Sequence, residues 1–227
     1  MPTVLITGAN RGLGLELARQ YAARNWSVMG TCRQPLRAGP LKAIGPAVEV
    51  HQLDVGSAAS IRKLSQTLSD RSIDVLINNA GIGGGRFGLG ALESGDFLEV
   101  MRVNALGPLL MLEAFAEHVT ASRRKTVIMV SSRMGSIASG LEEGGDFAYH
   151  CSKAALNMVT ANAALALKPK GVIVAAVHPG WVKTDMGGPE ATLPVAESAH
   201  GIIDVVDNLS IDRSGGFFSW AGDPIPW

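Results

Sequence analysis

The stretch TGANRGLG, residues 7–14, decides the fold class that this sequence predicts. It ends a short β-branched run, 3–7, and opens a helical pattern over residues 13–24. Glycines after a strand allow a tight turn and a close backbone approach, and the helix N-terminus that follows can face a pyrophosphate. The spacing Gly-x-x-x-Gly-x-Gly differs from the commoner Gly-x-Gly-x-x-Gly but meets the same physical need. The alternative is a structural turn without a ligand. The residues predicted to hold a dinucleotide here are Gly8, Asn10, Arg11, Gly12, Leu13 and Gly14.

Strand and helix patterns alternate along the rest of the chain. The strand runs are mostly apolar throughout, which indicates strands buried on both faces of a parallel sheet. Strand–helix alternation implies right-handed crossovers. The prediction is an α/β fold: a doubly wound, mostly parallel, Rossmann-like sheet in a single domain, 1–227. The predicted strands are 3–7, 27–32, 48–53, 73–78, 126–131 and 172–177, with an edge strand at 216–219; the predicted helices are 13–24, 58–68, 97–118, 149–167 and 196–209.

Three segments have neither a strand nor a helix pattern. They are 83–90, 139–146 and 187–194, and each follows the carboxyl end of a predicted strand. Open α/β sheets build their ligand sites at that edge. We therefore expect these loops to border the functional site.

Composition excludes several classes of function. The 227 residues are 47% hydrophobic and 18% charged with zero net charge, which argues against nucleic acid or an anionic membrane as a partner. The two cysteines, Cys32 and Cys151, fit a reducing compartment. No signal peptide or long apolar run is apparent, so the cytoplasm is expected. The histidines and cysteines have no metal-ligand spacing, so no metal is predicted.

The end of the second predicted strand bears on the choice of cofactor. An NAD-binding site places an acidic residue here, about twenty residues after the glycine loop, to bind the ribose hydroxyls. This sequence has Arg33 after Cys32 instead, and Arg11 lies in the glycine loop. Two guanidinium groups near the adenosine ribose favour a 2′-phosphate, and hence NADP(H) over NAD(H). The alternative is that both arginines are solvated surface residues.

Tyr149 and Lys153 form the pattern with the clearest chemistry. A four-residue step puts both side chains on one face of the helix predicted over 149–167. There the ammonium can favour the phenolate, and a tyrosine whose pKa is about 10 needs such help to transfer protons near neutrality. The pattern alone is a weak signal, but together with a nucleotide site it indicates hydride transfer.

Further motifs accompany these two in order along the chain. They are the glycine loop, Asp54, Asn78-Asn79-Ala80-Gly81, Asn104, Ser132, Tyr149 with Lys153, and Pro179-Gly180 with Thr184. With these motifs, the sequence from residue 7 to the carboxyl terminus resembles the short-chain dehydrogenase/reductase family, in its single-domain branch. The stretches 130–135 and 178–188 and the terminal Pro226-Trp227 are similar to the subgroup of bacterial C-factor-type proteins and the insect carbonyl reductase sniffer.

The resemblance implies four catalytic residues. Tyr149 is the expected general acid/base, and Lys153 is expected to bind the nicotinamide ribose and lower the tyrosine's pKa. Ser132 is expected to hydrogen-bond the carbonyl oxygen of the substrate. Asn104 is expected to hold a water that connects Lys153 to solvent.

The resemblance also implies further cofactor contacts. Asp54 and the backbone of Val55 are expected beside adenine, and Asn79 beside the adenosine ribose. Val182 and Thr184 are expected to meet the nicotinamide carboxamide, and so to set which ring face points at the substrate.

Two loops depart from the family pattern. The gap from Ser132 to Tyr149 is longer than in many members, with 139–146 as the extra loop. The stretch 185–194 is short where many members carry a helical lid. We expect an open cleft that takes bulky or varied carbonyl compounds.

The resemblance implies an NADP(H)-dependent oxidoreductase that transfers hydride between nicotinamide and a small carbonyl or alcohol substrate. The alternative is a nucleotide-binding signalling protein of the C-factor type with little relevant turnover. Family members commonly pair through the two long helices, here 97–118 and 149–167, so a homodimer or homotetramer is expected. No nucleic acid or membrane partner is expected.

Overall fold

The structure is a computed structural model that describes residues 1–85, 88–139 and 145–227. The strands are β1 Thr3–Ile6, β2 Ser27–Cys32, β3 Val48–Gln52, β4 Val75–Asn78, β5 Thr126–Val130, β6 Ile173–His178 and β7 Phe217–Ser219. The α-helices are α1 Gly12–Ala23, α2 Gly39–Lys42, α3 Ala58–Thr67, α4 Ser94–Met101, α5 Gly107–Thr120, α6 Phe147–Leu167 and α7 Val195–Asp207. A π-helical segment, Arg102–Leu106, joins α4 to α5, and 3₁₀ turns lie at Pro35–Arg37, Arg133–Gly135, Lys168–Lys170 and Ile211–Arg213.

The seven strands form one parallel sheet in the order β3-β2-β1-β4-β5-β6-β7. Every residue of β1, β4 and β5 is buried, as expected for strands covered on both faces. The strand order reverses between β1 and β4, which is where open α/β sheets form a ligand crevice at their carboxyl edge.

Apolar residues cover the sheet on both sides. On one face Leu17 of α1 and Ile202 of α7 belong to a core with Val4 and Ile77 of the sheet. On the other face Ile61 of α3, Phe115 of α5 and Leu156 of α6 pack with Leu5, Leu76 and Val127. Burying a side chain of this size contributes about 1.5–3 kcal/mol. The two layers hold the carboxyl edge of the sheet in a fixed geometry.

The doubly wound, parallel, Rossmann-like prediction is confirmed, with element ends that differ by at most three residues. Helix α2 is absent from the prediction because its four residues are too few to show a helical period. The predicted helix 97–118 is longer in the structure, from Ser94 to Thr120, and the π-helical segment interrupts it. Segment 187–194 is irregular as predicted, apart from an isolated bridge between Val182 and Leu193.

Two of the predicted loops are described only in part. Residues 86–87 of segment 83–90 and residues 140–144 of segment 139–146 lie outside the described ranges. Within those ranges, none of the helices combines the length and the hydropathy that crossing a bilayer requires.

Candidate active site

The predicted site residues converge on the carboxyl edge of the sheet. The glycine loop follows β1, Arg33 follows β2, and Asn79 follows β4. Ser132 follows β5, and α6 carries Tyr149 and Lys153. The remaining residues are Asp54 and Val55 after β3, Asn104 in the π-helical segment, and Val182 and Thr184 after β6. One edge of one sheet therefore holds the whole set.

The glycine loop has the geometry of an anion site. Gly8 and Gly12 have φ angles of 68° and 54°, in the left-handed region that glycine adopts without strain. Helix α1 begins at Gly12, and Arg11 before it makes no side-chain capping hydrogen bond. The first amides of a helix have no acceptor within the helix, and the helix dipole favours negative charge there. The loop therefore fits the pyrophosphate of a dinucleotide.

Asn79 lies at the predicted position after β4, but its side-chain amide donates hydrogen bonds to the glycine loop. Its Nδ2 donates to the carbonyls of Thr7 at 2.9 Å and Gly8 at 3.3 Å. A Cβ atom at Gly14 would lie 2.6 Å from the same Nδ2, so only glycine fits there. Both donors of Asn79 are used by the glycine loop, and its Oδ1 is the atom left for the ribose that the sequence assigns to it.

The two arginines predicted to meet a 2′-phosphate have different surroundings. Arg11 forms an ion pair with Asp185, with 2.8 Å between Nη1 and Oδ2, and both side chains are largely exposed. Arg33 is exposed at the end of β2, and its carbonyl accepts a hydrogen bond from Gln52. Arg37 ends the 3₁₀ turn that follows and adds a third exposed guanidinium near the same strand end. The motif reading missed Arg37, although a basic residue four positions after Arg33 is visible in the sequence.

The residues expected near adenine and nicotinamide are held by local bonds. Asp54 accepts from the Gly56 amide at 2.9 Å through Oδ1. Val55 follows it and is half-buried. Val182 is buried and pairs with Leu193, which anchors the start of the loop after β6. Thr184 accepts from the Gly187 amide at 3.2 Å, so its hydroxyl shapes that loop.

Asn104 lies in the π-helical segment, and its side chain is hydrogen-bonded within the protein. Its Oδ1 accepts from the Ile82 amide at 2.9 Å. Its Nδ2 donates to the Ile82 carbonyl at 2.8 Å and to the Ser152 hydroxyl at 3.0 Å. π-Helical segments recur at functional sites because they shift the backbone hydrogen bonds of a helix. Both donors of the Asn104 side chain are therefore used within the protein, which leaves acceptor atoms of this residue for a water.

Tyr149, Lys153 and Ser132 are close together. Lys153 is buried, its Nζ lies 5.6 Å from the centre of the Tyr149 ring, and it donates to the Val130 carbonyl at 2.9 Å. Ser132 lies close enough to Tyr149 to lower the tyrosine's pKa. The Ser132 hydroxyl also accepts from the Met134 amide at 3.2 Å.

Burial is the largest influence on both titratable groups. It raises the pKa of Tyr149 to about 12, against the opposing influence of Ser132. It lowers the pKa of Lys153 to about 8. Burial therefore outweighs any opposing influence on Tyr149, and the expectation that Lys153 favours the phenolate stays a prediction.

Helix α6 carries two further buried polar residues that the motifs did not reveal. Ser152 binds Asn104, as described above. Asn157 accepts from the Ser131 hydroxyl at 2.6 Å and donates to the Gly135 carbonyl at 3.0 Å. For Asn157 the available signal was the helical phase, since it follows Lys153 by four residues and lies on the same face.

The chain's last two residues contact the loop after Ser132. The Ser136 hydroxyl donates to the Pro226 carbonyl at 2.6 Å, and the Ile137 amide donates to the Trp227 carbonyl at 2.7 Å. The Trp227 ring stacks on Phe217 with 5.4 Å between centroids. These bonds fix the described start of the predicted loop 139–146 against β7.

Comparisons with known proteins agree with this geometry. Residues 2–192 match the family model described as short chain dehydrogenase. The chain belongs to the short-chain dehydrogenase family. C-signal from Myxococcus xanthus is 41% identical over 167 residues, 74% of this chain and all of that protein.

Solved structures of carbonyl reductases have the same fold as this short-chain dehydrogenase. The NADPH-bound carbonyl reductase from chicken fatty liver superposes with a TM-score of 0.92 at 34% identity, over 100% of this chain and 99% of that one. The carbonyl reductase Sniffer of D. melanogaster gives 0.93 at 32% identity, over the full length of both chains. The resemblance read from the motifs is thereby confirmed.

Burial of the Lys153 ammonium predicts a pH-dependent stability. Below about pH 8 the lysine is charged in both states, and the folded state bears the cost of burying that charge. From about pH 8 to 10.5 the unfolded state binds more protons, so this cost disappears as the pH rises. Lys153→Met removes this buried charge. The free energy of unfolding of the variant minus that of wild type should therefore be largest at about pH 7 and should decrease towards about pH 10.

Urea denaturation at several pH values measures this difference. Lys168→Met, at the exposed end of α6, is the matched control and should show no such trend. A Lys153→Met difference that stays constant across the same pH range would contradict the assigned burial.

Proposed function

We propose that this protein is an NADP(H)-dependent carbonyl reductase that transfers hydride between nicotinamide and a small carbonyl or alcohol compound. The observation that carries the proposal is the contact among Tyr149, Ser132 and Lys153 at the sheet edge that also holds the glycine loop. NADPH-bound carbonyl reductase from chicken fatty liver, with the same fold, supports the choice of cofactor.

NADPH, when bound, supplies the hydride to the carbonyl carbon. Ser132 donates a hydrogen bond to the substrate oxygen and stabilises the charge that develops there. Tyr149 donates its phenolic proton to the same oxygen. Its pKa of about 12 keeps the phenol protonated at neutral pH, which is the form that reduction requires.

Lys153 serves Tyr149 and the ribose in this proposal. Its pKa of about 8 leaves the ammonium charged at neutral pH, so it stabilises the phenolate that forms after proton donation. The ribose hydroxyls are its second partner. The phenolate must regain a proton before the next turnover, and Lys153 is the buried group beside it that can supply one. Because both side-chain donors of Asn104 are used by Ile82 and Ser152, its backbone carbonyl would hold the water that then replaces the proton lost by Lys153.

The alternative function is signalling by a nucleotide-binding protein with little turnover. The observation that favours it is the 41% identity to C-signal. Steady-state oxidation of NADPH against a panel of aldehydes and ketones separates the two. The reductase proposal expects turnover with members of the panel; NADPH binding without turnover of any member supports signalling.

The free thiols Cys32 and Cys151 support a reducing compartment such as the cytoplasm, and cell fractionation tests that location.

Tyr149→Phe should abolish most of the reductase activity. The substitution removes only the hydroxyl, so the fold and the affinity for NADPH should persist while kcat falls by about a hundred- to ten-thousandfold. Tyr21→Phe is the matched control, because the chain has only two tyrosines and the Tyr21 hydroxyl has no hydrogen-bond partner within the described ranges. Near-full carbonyl reduction by Tyr149→Phe, with NADPH bound normally, would overturn the mechanism.

The protein should bind NADPH more tightly than NADH. Arg33 is free of ion pairs among the described residues and can meet a 2′-phosphate, a charge-assisted contact worth about ten- to a hundredfold in affinity. Arg33→Asp should reverse or abolish the preference, as measured by fluorescence titration of both cofactors. Arg123→Asp, an exposed arginine just before β5 at the opposite edge of the sheet, makes the same change of charge and should leave it unaltered. Equal affinities in the wild type would reject the proposal.

We propose that two copies associate through α5 and α6. Leu109 of α5 and Met158 and Leu165 of α6 expose large apolar side chains on helices that already bury another face in the core. Sedimentation velocity at micromolar concentration should show a dimer or tetramer, and Met158→Lys with Leu165→Lys should give a monomer. A wild type that sediments as a monomer would reject this assembly.

A further inference from the structure

Asn157 links the two sides of the catalytic serine to the helix that carries Tyr149 and Lys153. Its Oδ1 accepts a hydrogen bond of 2.6 Å from the Ser131 hydroxyl, directly before Ser132. Its Nδ2 donates over 3.0 Å to the carbonyl of Gly135, at the end of the 3₁₀ turn that begins after Ser132. One buried amide therefore holds the chain on both sides of Ser132.

The 3₁₀ turn after Ser132 packs closely against α6. A Cβ atom at Gly135 would lie 2.6 Å from the carbonyl carbon of Lys153, so the turn rests directly on the backbone of α6. Asn157 and Ser131 are 4% and 2% exposed, so water cannot readily replace their hydrogen bond. Asn157 follows Lys153 by four residues and therefore lies on the same face of the helix.

We propose that Asn157 is a positioning residue that sets the place of the Ser132 hydroxyl relative to the Tyr149 hydroxyl. This inference rests on the proposed reductase function. Ser132 and Tyr149 are on different elements, and their hydroxyls must meet at one substrate oxygen. An error of about 1 Å in such a geometry costs about a hundredfold in rate. Asn157 hydrogen-bonds to the chain before and after Ser132, and so holds the Ser132 hydroxyl in one position relative to α6.

The role of Asn157 differs from that of a residue that only stabilises the fold. A packing residue would lower stability wherever it is removed, whether Ser132 is present or not. A positioning residue acts through Ser132, so its effect on kcat should vanish once the Ser132 hydroxyl is gone. The comparison of single and double variants therefore separates the two roles.

The kinetic test uses Asn157→Ala, Ser132→Ala and the double variant. Asn157→Ala should lower kcat for carbonyl reduction by about ten- to a hundredfold and leave the Kd for NADPH within about twofold of wild type. In the Ser132→Ala background, the same change should alter kcat by less than about twofold. Asn208→Ala is the matched control, since this asparagine is exposed at the end of α7 and its side-chain amide donates within that helix, to the Asp204 carbonyl. A wild-type kcat for Asn157→Ala, or a full further loss in the double variant, would overturn the proposal.

A second readout does not depend on turnover. Labelling the ring carbon that bears the hydroxyl with ¹³C gives two tyrosine NMR signals, one from Tyr149 and one from Tyr21 of α1, which is fully buried in the core. Ser132→Ala and Asn157→Ala should both move the Tyr149 signal in the same direction and leave the Tyr21 signal in place. An unmoved Tyr149 signal in Asn157→Ala would reject the positioning role, even if the protein reduces no carbonyl.

Ser131→Ala covers the case in which Asn157→Ala does not fold. It removes one of the two hydrogen bonds and keeps the amide of Asn157 in place. It should cause a smaller loss of kcat and a smaller shift of the Tyr149 signal, both absent in the Ser132→Ala background. Wild-type values for both measurements would count against the proposal.

Discussion

The site depends on the polar face of α6, which is buried against the carboxyl edge of the sheet. A helix that packs on a sheet normally presents an apolar stripe. Here Ser152, Lys153 and Asn157 occupy buried positions, and each bonds to a different part of the edge. Ser152 contacts Asn104 in the π-helical segment, Lys153 contacts the end of β5, and Asn157 contacts the residues around Ser132. One helix thus aligns two segments that are separate in sequence, the π-helical segment and the chain from the end of β5 to Gly135.

Burial of Lys153 and Tyr149 lowers the stability of the folded protein and gives both groups shifted pKa values that suit proton transfer. The pKa of Lys153 falls to about 8 and that of Tyr149 rises to about 12, because a charge is disfavoured away from water in each case. A protonated phenol beside an ammonium is the combination that can donate a proton and then stabilise the phenolate. Active sites commonly hold groups in such perturbed states at the expense of stability.

The sheet and the location of the site could be predicted from the sequence because their signals are local. Apolar strand runs and the glycine loop depend on neighbouring residues, and parallel order then brings the strand ends together. The roles of individual polar atoms could not be predicted, because they depend on contacts between distant segments. Asn79 and Asn104 lie where the motifs place them, yet their amides bind Thr7, Gly8 and Ile82.

The partners of Arg11 and Asn157 could not be predicted for the same reason. Arg11 is separated by 174 residues from its partner Asp185, which no local pattern reveals. In the sequence, Asn157 is one of several polar residues of α6. A polar residue at a buried helical position indicates a specific partner, and the helical phase relative to Lys153 would have identified that position.

The most direct test of the central claim is the transfer of labelled hydride. NADPH deuterated at the reactive C4 position, incubated with the protein and a panel of carbonyl compounds, should yield an alcohol with deuterium on the former carbonyl carbon, as detected by mass spectrometry. Wild type should form such a product, and Tyr149→Phe should form it about a hundred- to ten-thousandfold more slowly. Deuterium-free products throughout, from a protein that binds NADPH, would contradict the assignment of this site to carbonyl reduction.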